Sequence, residues 1–225
     1  MSLRLRVAGV PSGFANGPPE RRWKEAPEEA LTPHRPDGDE RALRLRFILP
    51  PVAPGRRGAD LDNLIDPVLS VLVGKLGWFG HRRPSIGGIE ATKERGSEPG
   101  CELELLAGLE PSTAVEKPLL DAVYEGALPR SARDELFTDW VRARVLAERR
   151  PDGPGGIGVS LVFGDPRTNL GDIATGRPKN VIDCLWPLLG GRAGAPHDHL
   201  VTTLRLSRGD SLGGTGVQVT IWSCE

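Results

Sequence analysis

Two aspartates one residue apart are the strongest candidates for chemistry in this sequence. Asp60 and Asp62 are followed by Asn63 and by apolar residues at helical spacing, which predicts that both acids stand at the start of a helix. Two carboxylates at this spacing can turn toward one Mg²⁺ ion, a hard cation that takes oxygen ligands. With a third acid from elsewhere in the fold, they would support metal-assisted phosphodiester hydrolysis. The alternative is ordinary helix capping, since the helix dipole favours acids in the first turn.

A second group of possible ligands is the trio His197-Asp198-His199. Imidazole nitrogens suit transition metals, and alternate residues of a strand share one face. A solvated loop that follows Gly190 and Gly191 is the alternative interpretation of the same residues. The trio by itself therefore leaves a metal site and a loop both open.

Composition narrows the possible partners and the compartment. The 225 residues include 30 acids and 29 lysines and arginines, so binding to nucleic acid would have to use a local basic patch. The three cysteines, Cys101, Cys184 and Cys224, are far apart and form no paired motif, which favours a reducing cytoplasm. No apolar run approaches the ~20 residues that span a bilayer. We therefore expect a cytoplasmic protein without a membrane partner.

The hydrophobic periodicity predicts an α+β fold. Residues 10–41, rich in proline, glycine and charge, are predicted to form a loop or a partly mobile arm with one short helix near 21–31. Strands are predicted at 3–9, 42–49, 85–94, 101–108, 158–163, 200–207 and 216–222, and helices at 61–72, 131–148 and 177–189.

The order of these elements occurs twice, and the repeat holds residue by residue. Residues 66–72 align with residues 113 positions further along the chain, and the two hairpins align at offsets of 115 and 116. We predict two diverged copies of one strand, helix and hairpin unit, a first half at 1–110 and a second half at 111–225. Chance agreement between two α+β segments is the alternative.

Residues 60–72, DLDNLIDPVLSVL, resemble the D-x-D-N-x-x-K-P-V-x-D-x-L signature of the RusA-like Holliday-junction resolvases. These are endodeoxyribonucleases that cut four-way DNA junctions with Mg²⁺, as homodimers of a small α+β unit. The resemblance implies a function in DNA recombination or repair, with branched or duplex DNA as partner. It also implies that two fused units form an intrachain pseudo-dimer, so that the chain acts as a monomer.

The first half departs from the signature after its acids. Asp60 and Asp62 are present, but Asp66 stands at the lysine position and Ser70 at the later aspartate position. The family takes a third acid from an Asp-Asp-x-x-Val motif after the helix, and residues 82–86, RRPSI, supply none.

The second half departs from the signature in the opposite way. Lys179, Asp183 and Asp198 match the lysine, the later aspartate and the third acid. The D-x-D-N motif itself is reduced to Asp172 and the four residues after it, IATG. Neither half therefore retains a full triad.

The resemblance implies roles that leave three hypotheses open. Asp60 and Asp62 would bind Mg²⁺ and take part in catalysis in the first half, and Lys179 would contact the phosphate. Asp172 and Asp198 are possible metal ligands in the second half. The protein is then an active nuclease, a catalytically inactive DNA-binding or interaction module, or an unrelated α+β protein. We do not expect the halves to share one site, because in the resembled dimers each unit carries its own acids.

Basic residues flank both acidic clusters in the predicted loops and strands. Clustered guanidinium groups would bind phosphates and position a duplex without reading its sequence. Ion pairs on a solvated surface are the alternative. The candidate contacts are Arg56, Arg57, Arg82, Arg83, Lys93, Arg177, Arg192 and Arg208.

Overall fold

A computed structural model describes residues 3–36, 38, 41–52, 58–79, 86–110, 117–145, 156–209, 212 and 214–224. Eight strands form one mixed sheet in the order β1-β4-β2-β3-β9-β6-β10-β5, and β7 and β8 form a separate ribbon. The strands are β1 Arg4–Ala8, β2 Ala42–Leu49, β3 Gly88–Arg95, β4 Gly100–Leu106, β5 Leu120–Tyr124, β6 Ile157–Phe163, β7 Gly191–Arg192, β8 Ala195–Pro196, β9 Val201–Arg208 and β10 Val217–Ser223.

Helices cover one face of the sheet, so the α+β class is confirmed. They are α1 Pro18–Leu31, α2 Leu61–Leu69, α3 Glu135–Arg142, α4 Arg177–Asp183 and α5 Trp186–Leu189, with a π-helical segment Ser70–Lys75 and a 3₁₀ helix Asp198–Leu200. Apolar residues of α2, such as Ile65, and of α4, such as Val181, join the sheet in one hydrophobic core. None of the described helices is both long and apolar enough to cross a membrane.

Strict alternation in β2 explains why the sheet has one apolar and one charged face. Leu43, Leu45 and Phe47 are fully buried against the helices. Arg44 lies between them on the opposite face, where its guanidinium contacts Glu90 and Glu104, each at 3.0 Å. Cross-strand pairs of opposite charge support a solvated sheet face.

Each half contributes four strands, and their order from the edge of the sheet to its centre corresponds: β1-β4-β2-β3 in the first half and β5-β10-β6-β9 in the second. β2 pairs in parallel with β3 and antiparallel with β4, and β6 pairs in the same two ways with β9 and β10. The register agrees too, because Leu45 lies opposite Leu103 and, 116 positions later, Leu161 lies opposite Val219. The offset that aligns the sequences therefore also aligns the strand partners.

The two halves meet where β3 pairs antiparallel with β9. Glu90 and Arg205 face each other at the middle of this seam, and their charged groups are 3.2 Å apart. These two residues are also related by the offset of 115 that aligns the hairpins. Equivalent residues with opposite charges thus stabilise the junction between the halves.

The structure differs from the predicted elements in several places, and the predicted helix 131–148 is shorter among the described residues, as α3. Strand β5 was not predicted. The predicted helix 177–189 is divided into α4 and α5, because Pro187 has no N–H to donate to the preceding turn. In the predicted arm, α1 begins at Pro18, a favoured first helical residue, and buries Trp23 and Leu31.

Candidate metal centre

Asp60 stands at the N-cap position of α2, but its side chain does not cap the helix. Its backbone carbonyl accepts a hydrogen bond from Leu64 N at 3.1 Å. Within the described structure, no backbone N–H of this helix donates to the Asp60 carboxylate. The carboxylate instead accepts a hydrogen bond from Asn63 Nδ2 at 3.1 Å. Asp134 of α3 provides the contrast, since its carboxylate does cap, accepting from Phe137 N at 3.1 Å. Asp60 therefore occupies the N-cap position, with Asp62 in the first turn, but without a side-chain capping hydrogen bond.

The carboxylate of Asp60 lies beside ligands from the far end of the chain. One ligand atom from each of Asp60, Asp198 and His199 lies within 4.8 Å of the others. Asp198 and His199 belong to the 3₁₀ helix that leads into β9, and Asp198 is buried. Of the predicted histidine trio, His197 is not part of this group. The two carboxylates and the imidazole form a group that could hold a metal ion.

Lys179 joins carboxylates from both halves. Its ammonium nitrogen lies 2.8 Å from Asp62 Oδ2, 3.0 Å from Asp183 Oδ1 and 2.9 Å from Asp198 Oδ2. Of these three contacts, the one with Asp198 Oδ2 is a hydrogen bond. Asp62 Oδ2 and Asp183 Oδ1 are buried and contact the ammonium group as ion pairs. Asp183 is four residues further along the same helix, a spacing that brings the two side chains together.

Lys93 links the same two regions through the backbone. Its ammonium group donates to Ala59 O at 2.6 Å and to His199 O at 2.9 Å. Ala59 directly precedes Asp60, so one side chain positions the chain on both sides of the candidate ligands. Burial lowers the pKa of Lys93 to about 8, although the charges of nearby acids oppose this shift.

Acids outnumber amines in this group. We call it the composite centre; its described members are Asp60, Asp62, Lys93, Lys179, Asp183, Asp198 and His199. Burial, and then the negative charge of Asp198, raises the pKa of Asp60 to about 6. Burial alone would lower the pKa of Lys179, but the charges of its acids outweigh burial and raise it. An excess of carboxylates in a buried site favours the binding of a cation.

The composite centre corrects our expectation that the halves would not share a site. Asp62 of the first half is within ion-pair distance of Lys179 of the second half. The first half supplies the carboxylates of Asp60 and Asp62, and the second half supplies those of Asp183 and Asp198. Asp183 and His199 were not among the predicted site residues; the lysine–aspartate spacing of α4 and the histidine trio were the available signals.

Asp172, a predicted metal ligand, lies outside the composite centre. Its carboxylate accepts a hydrogen bond from Thr175 Oγ1 at 2.6 Å. Burial raises the pKa of Asp66, and the negative charge of the nearby Asp172 raises it further. With Arg167 and Arg177, Asp172 lines a cavity of about 420 Å³. Among the described residues, Asp172 is not in the group that could hold a metal.

The predicted DNA contacts fall into three classes. Arg56, Arg57, Arg82 and Arg83 lie outside the described residues. The side chains of Lys93, Arg177 and Arg208 donate to backbone carbonyls; Arg208 reaches Thr168 O at 2.9 Å. Arg192 is exposed on β7. DNA contact by these residues stays a prediction.

No model of a known protein family matches the chain, and a search of curated proteins finds no significant match. The function is therefore argued from the composite centre, the arrangement of the sheet and the resemblance of residues 60–72.

Proposed function

We propose that this chain is a metal-dependent, structure-specific DNA endonuclease related to the RusA-like resolvases. In this proposal two fused units form an intrachain pseudo-dimer with one catalytic site between them. The single observation that carries the proposal is the meeting of Asp60 with Asp198 and His199, since these candidate ligands come from opposite halves of the chain. The identical strand order of the two halves supports their common origin.

The donor set indicates which ion the site would prefer. Asp60 and Asp198 offer the oxygen ligands that Mg²⁺ takes, whereas His199 adds an imidazole, which suits Mn²⁺ and later transition metals better. We therefore expect activity with Mg²⁺ and stronger binding of Mn²⁺. A bound divalent ion would supply polarisation of the phosphodiester and a nucleophile at neutral pH.

The protein's own residues hold these ligands in place. Lys179 is a positioning residue, because its ammonium group holds Asp198 beside Asp62. Lys93 fixes the backbone on both sides of the site. Neither amine needs to leave its partners for Asp60, Asp198 and His199 to bind an ion.

A specific observation favours the second candidate function, a catalytically inactive DNA-binding or interaction module. Asp62, which the resemblance assigns as a metal ligand, is buried and paired with Lys179. Two carboxylates then remain for the metal. An inactive module would use the same surface to bind a junction without cutting it.

The test measures binding and cutting of a labelled four-way junction and a matched linear duplex over a titration of Mn²⁺ and Mg²⁺. We expect metal-dependent cutting that falls by at least about 100-fold in Asp60→Asn and Asp198→Asn, since removing a ligand weakens the metal more than removing a residue that supports one. Asp172→Asn is the matched control, and it should cut like the unaltered chain.

Two other outcomes would count against the nuclease, and a third would count against the proposed site. Junction binding that weakens with salt, without cutting at any metal concentration, would favour the inactive module. Neither binding nor cutting would favour an unrelated function. Loss of cutting in Asp172→Asn with full cutting in Asp198→Asn would place the catalytic metal outside the composite centre.

A further inference from the structure

We propose that the chain cuts one DNA strand in each binding event, because one of its two equivalent positions brings three candidate metal ligands together and the other, among the described residues, does not. This inference rests on the nuclease function proposed above. Two symmetric units would offer two positions, each at the start of one long helix. The composite centre occupies the position at the start of α2, and the start of α4 is its counterpart.

The ligands of α2 have no equivalents at the start of α4. At the offset of 113, Asp60 corresponds to Ile173, which is fully buried in the hydrophobic core. Asp62 corresponds to Thr175, whose hydroxyl donates to the neighbouring Asp172. An isoleucine side chain has no donor atom for a metal, and a neutral hydroxyl is a weak replacement for a carboxylate.

The residues that correspond to the second-half members of the composite centre differ as well. Lys179 corresponds to Asp66, and Asp183 corresponds to Ser70. At the offset of 115, Asp198 and His199 correspond to Arg83 and Pro84, so the sequence offers neither a carboxylate nor an imidazole there; the placement of residues 80–85 lies outside the described structure. The amine that organises the acids and the third acid are thus both replaced.

The scaffold around the counterpart has nevertheless been kept. Lys93 donates to Ala59 O in the loop between β2 and α2, and its equivalent, Arg208, donates to Thr168 O in the loop between β6 and α4. Both cations brace the loop that leads into a long helix. A cavity of about 420 Å³ lies beside this second loop. The second position therefore keeps the loop arrangement of the unit, but its described acids, Asp66 and Asp172, are not in a group that could hold a metal.

This asymmetry has a direct consequence for a duplex or junction bound across both halves. One strand lies at Asp60, Asp198 and His199, and the other lies at a surface without equivalent ligands. Cutting the second strand requires the protein to release the DNA and rebind it in the opposite orientation. The product of one binding event is a nick.

The first experiment uses a negatively supercoiled plasmid with an inverted repeat, digested with Mn²⁺ and excess protein and then trapped with a heparin competitor. We expect open circles to form in the first event and linear plasmid to appear only without the competitor. Linear plasmid that forms at the rate of the open circle, with the competitor present, would overturn the inference. Absence of any cutting would overturn the proposed nuclease function, and single-strand incision with it.

The second experiment counts bound Mn²⁺ by electron paramagnetic resonance, so it does not depend on cutting. We expect one tightly bound ion per chain, which is lost in Asp198→Asn and in His199→Ala and retained in Asp66→Asn. His199→Ala guards against misfolding, since it keeps the backbone carbonyl that Lys93 contacts. Two tightly bound ions, one of them lost in Asp66→Asn or Asp172→Asn, would overturn the inference even if the plasmid is only nicked.

Discussion

The two halves share a strand arrangement, but the environments at the starts of α2 and α4 differ. At α2, Lys179 stabilises a group of buried acids. At α4, the equivalent acids are replaced by Ile173 in the core and by Thr175. The sheet register is the same in both halves because it is maintained by backbone pairing and apolar alternation. Side chains at the helix starts contribute little to that pairing, so these positions can differ while the strand register is the same.

The largest expected effect is the loss of unfolding free energy on substitution of Lys179, compared with substitution of its equivalent, Asp66. Lys179→Ala leaves three buried acids without their shared cation, and breaking such a group costs about 3–5 kcal/mol of unfolding free energy. Asp66→Ala should have little effect, because burial already disfavours the charged form of Asp66. Urea denaturation at pH 7 without metal measures both. Equal losses would show that the two positions are energetically alike.

In the metal-free protein, we expect substitutions of Asp60 and Asp62 to change the unfolding free energy in opposite directions, by smaller amounts. The pKa of Asp60 is raised to about 6 in the folded state, above the 3.8 of an unperturbed aspartate. The charged form of Asp60 therefore destabilises the folded protein. This destabilisation is absent below pH 4 and reaches its full size above pH 6. Asp60→Asn should raise the unfolding free energy by about 1–2 kcal/mol at pH 8, after allowance for partial solvent screening, and by nothing near pH 4.

Asp62→Asn is the matched comparison. Asp62 is buried and paired with Lys179, so loss of its charge should lower the unfolding free energy by about 1.5–3 kcal/mol. Chemical denaturation from pH 4 to pH 8 with a chelator measures both variants. A stabilising Asp62→Asn, or an Asp60→Asn variant whose effect does not change with pH, would contradict this assignment of the two aspartates.

The smallest expected effect concerns the seam between the halves. Arg205→Glu places a second acid opposite Glu90, so that both halves carry glutamate at this position. Arg205→Gln only removes the attraction between the two side chains. We expect the glutamate variant to be less stable than the glutamine variant by about 0.5–1 kcal/mol, and less so at high salt. Thermal unfolding at two salt concentrations would measure the difference. Equal stabilities would mean that this pair does not contribute to joining the halves.

Much of the sheet could be predicted from the sequence because its signals are local. Period-two alternation marks β2, and the same period marks β6 at a constant offset. The break between α4 and α5 also had a local cause, Pro187, which a continuous helix prediction overlooked. Strand β5 was missed because its burial alternates weakly on the edge of the sheet, where only Leu120 is buried.

The composite centre could be predicted only in part. Asp60, Asp62, Asp198 and Lys179 were identified by type and spacing, but they were assigned to two separate sites. Asp60 was open to interpretation as a cap because an aspartate before a helix has the same sequence pattern whether or not it accepts from a backbone N–H. That choice depends on the side-chain direction, which Asn63 and the opposite half set.

The sequence by itself determined seven of the eight strands of the large sheet, helix α2, the constant offset between the halves and the residue types able to bind a metal. Only the tertiary structure decided that the retained ligands converge. Antiparallel pairing of β3 with β9 joins the two halves into one sheet and brings Asp198 beside Asp60, which is 138 positions earlier in the chain. Local periodicity carries no information about such long-range pairing, because a strand's alternation is the same whichever strand lies next to it.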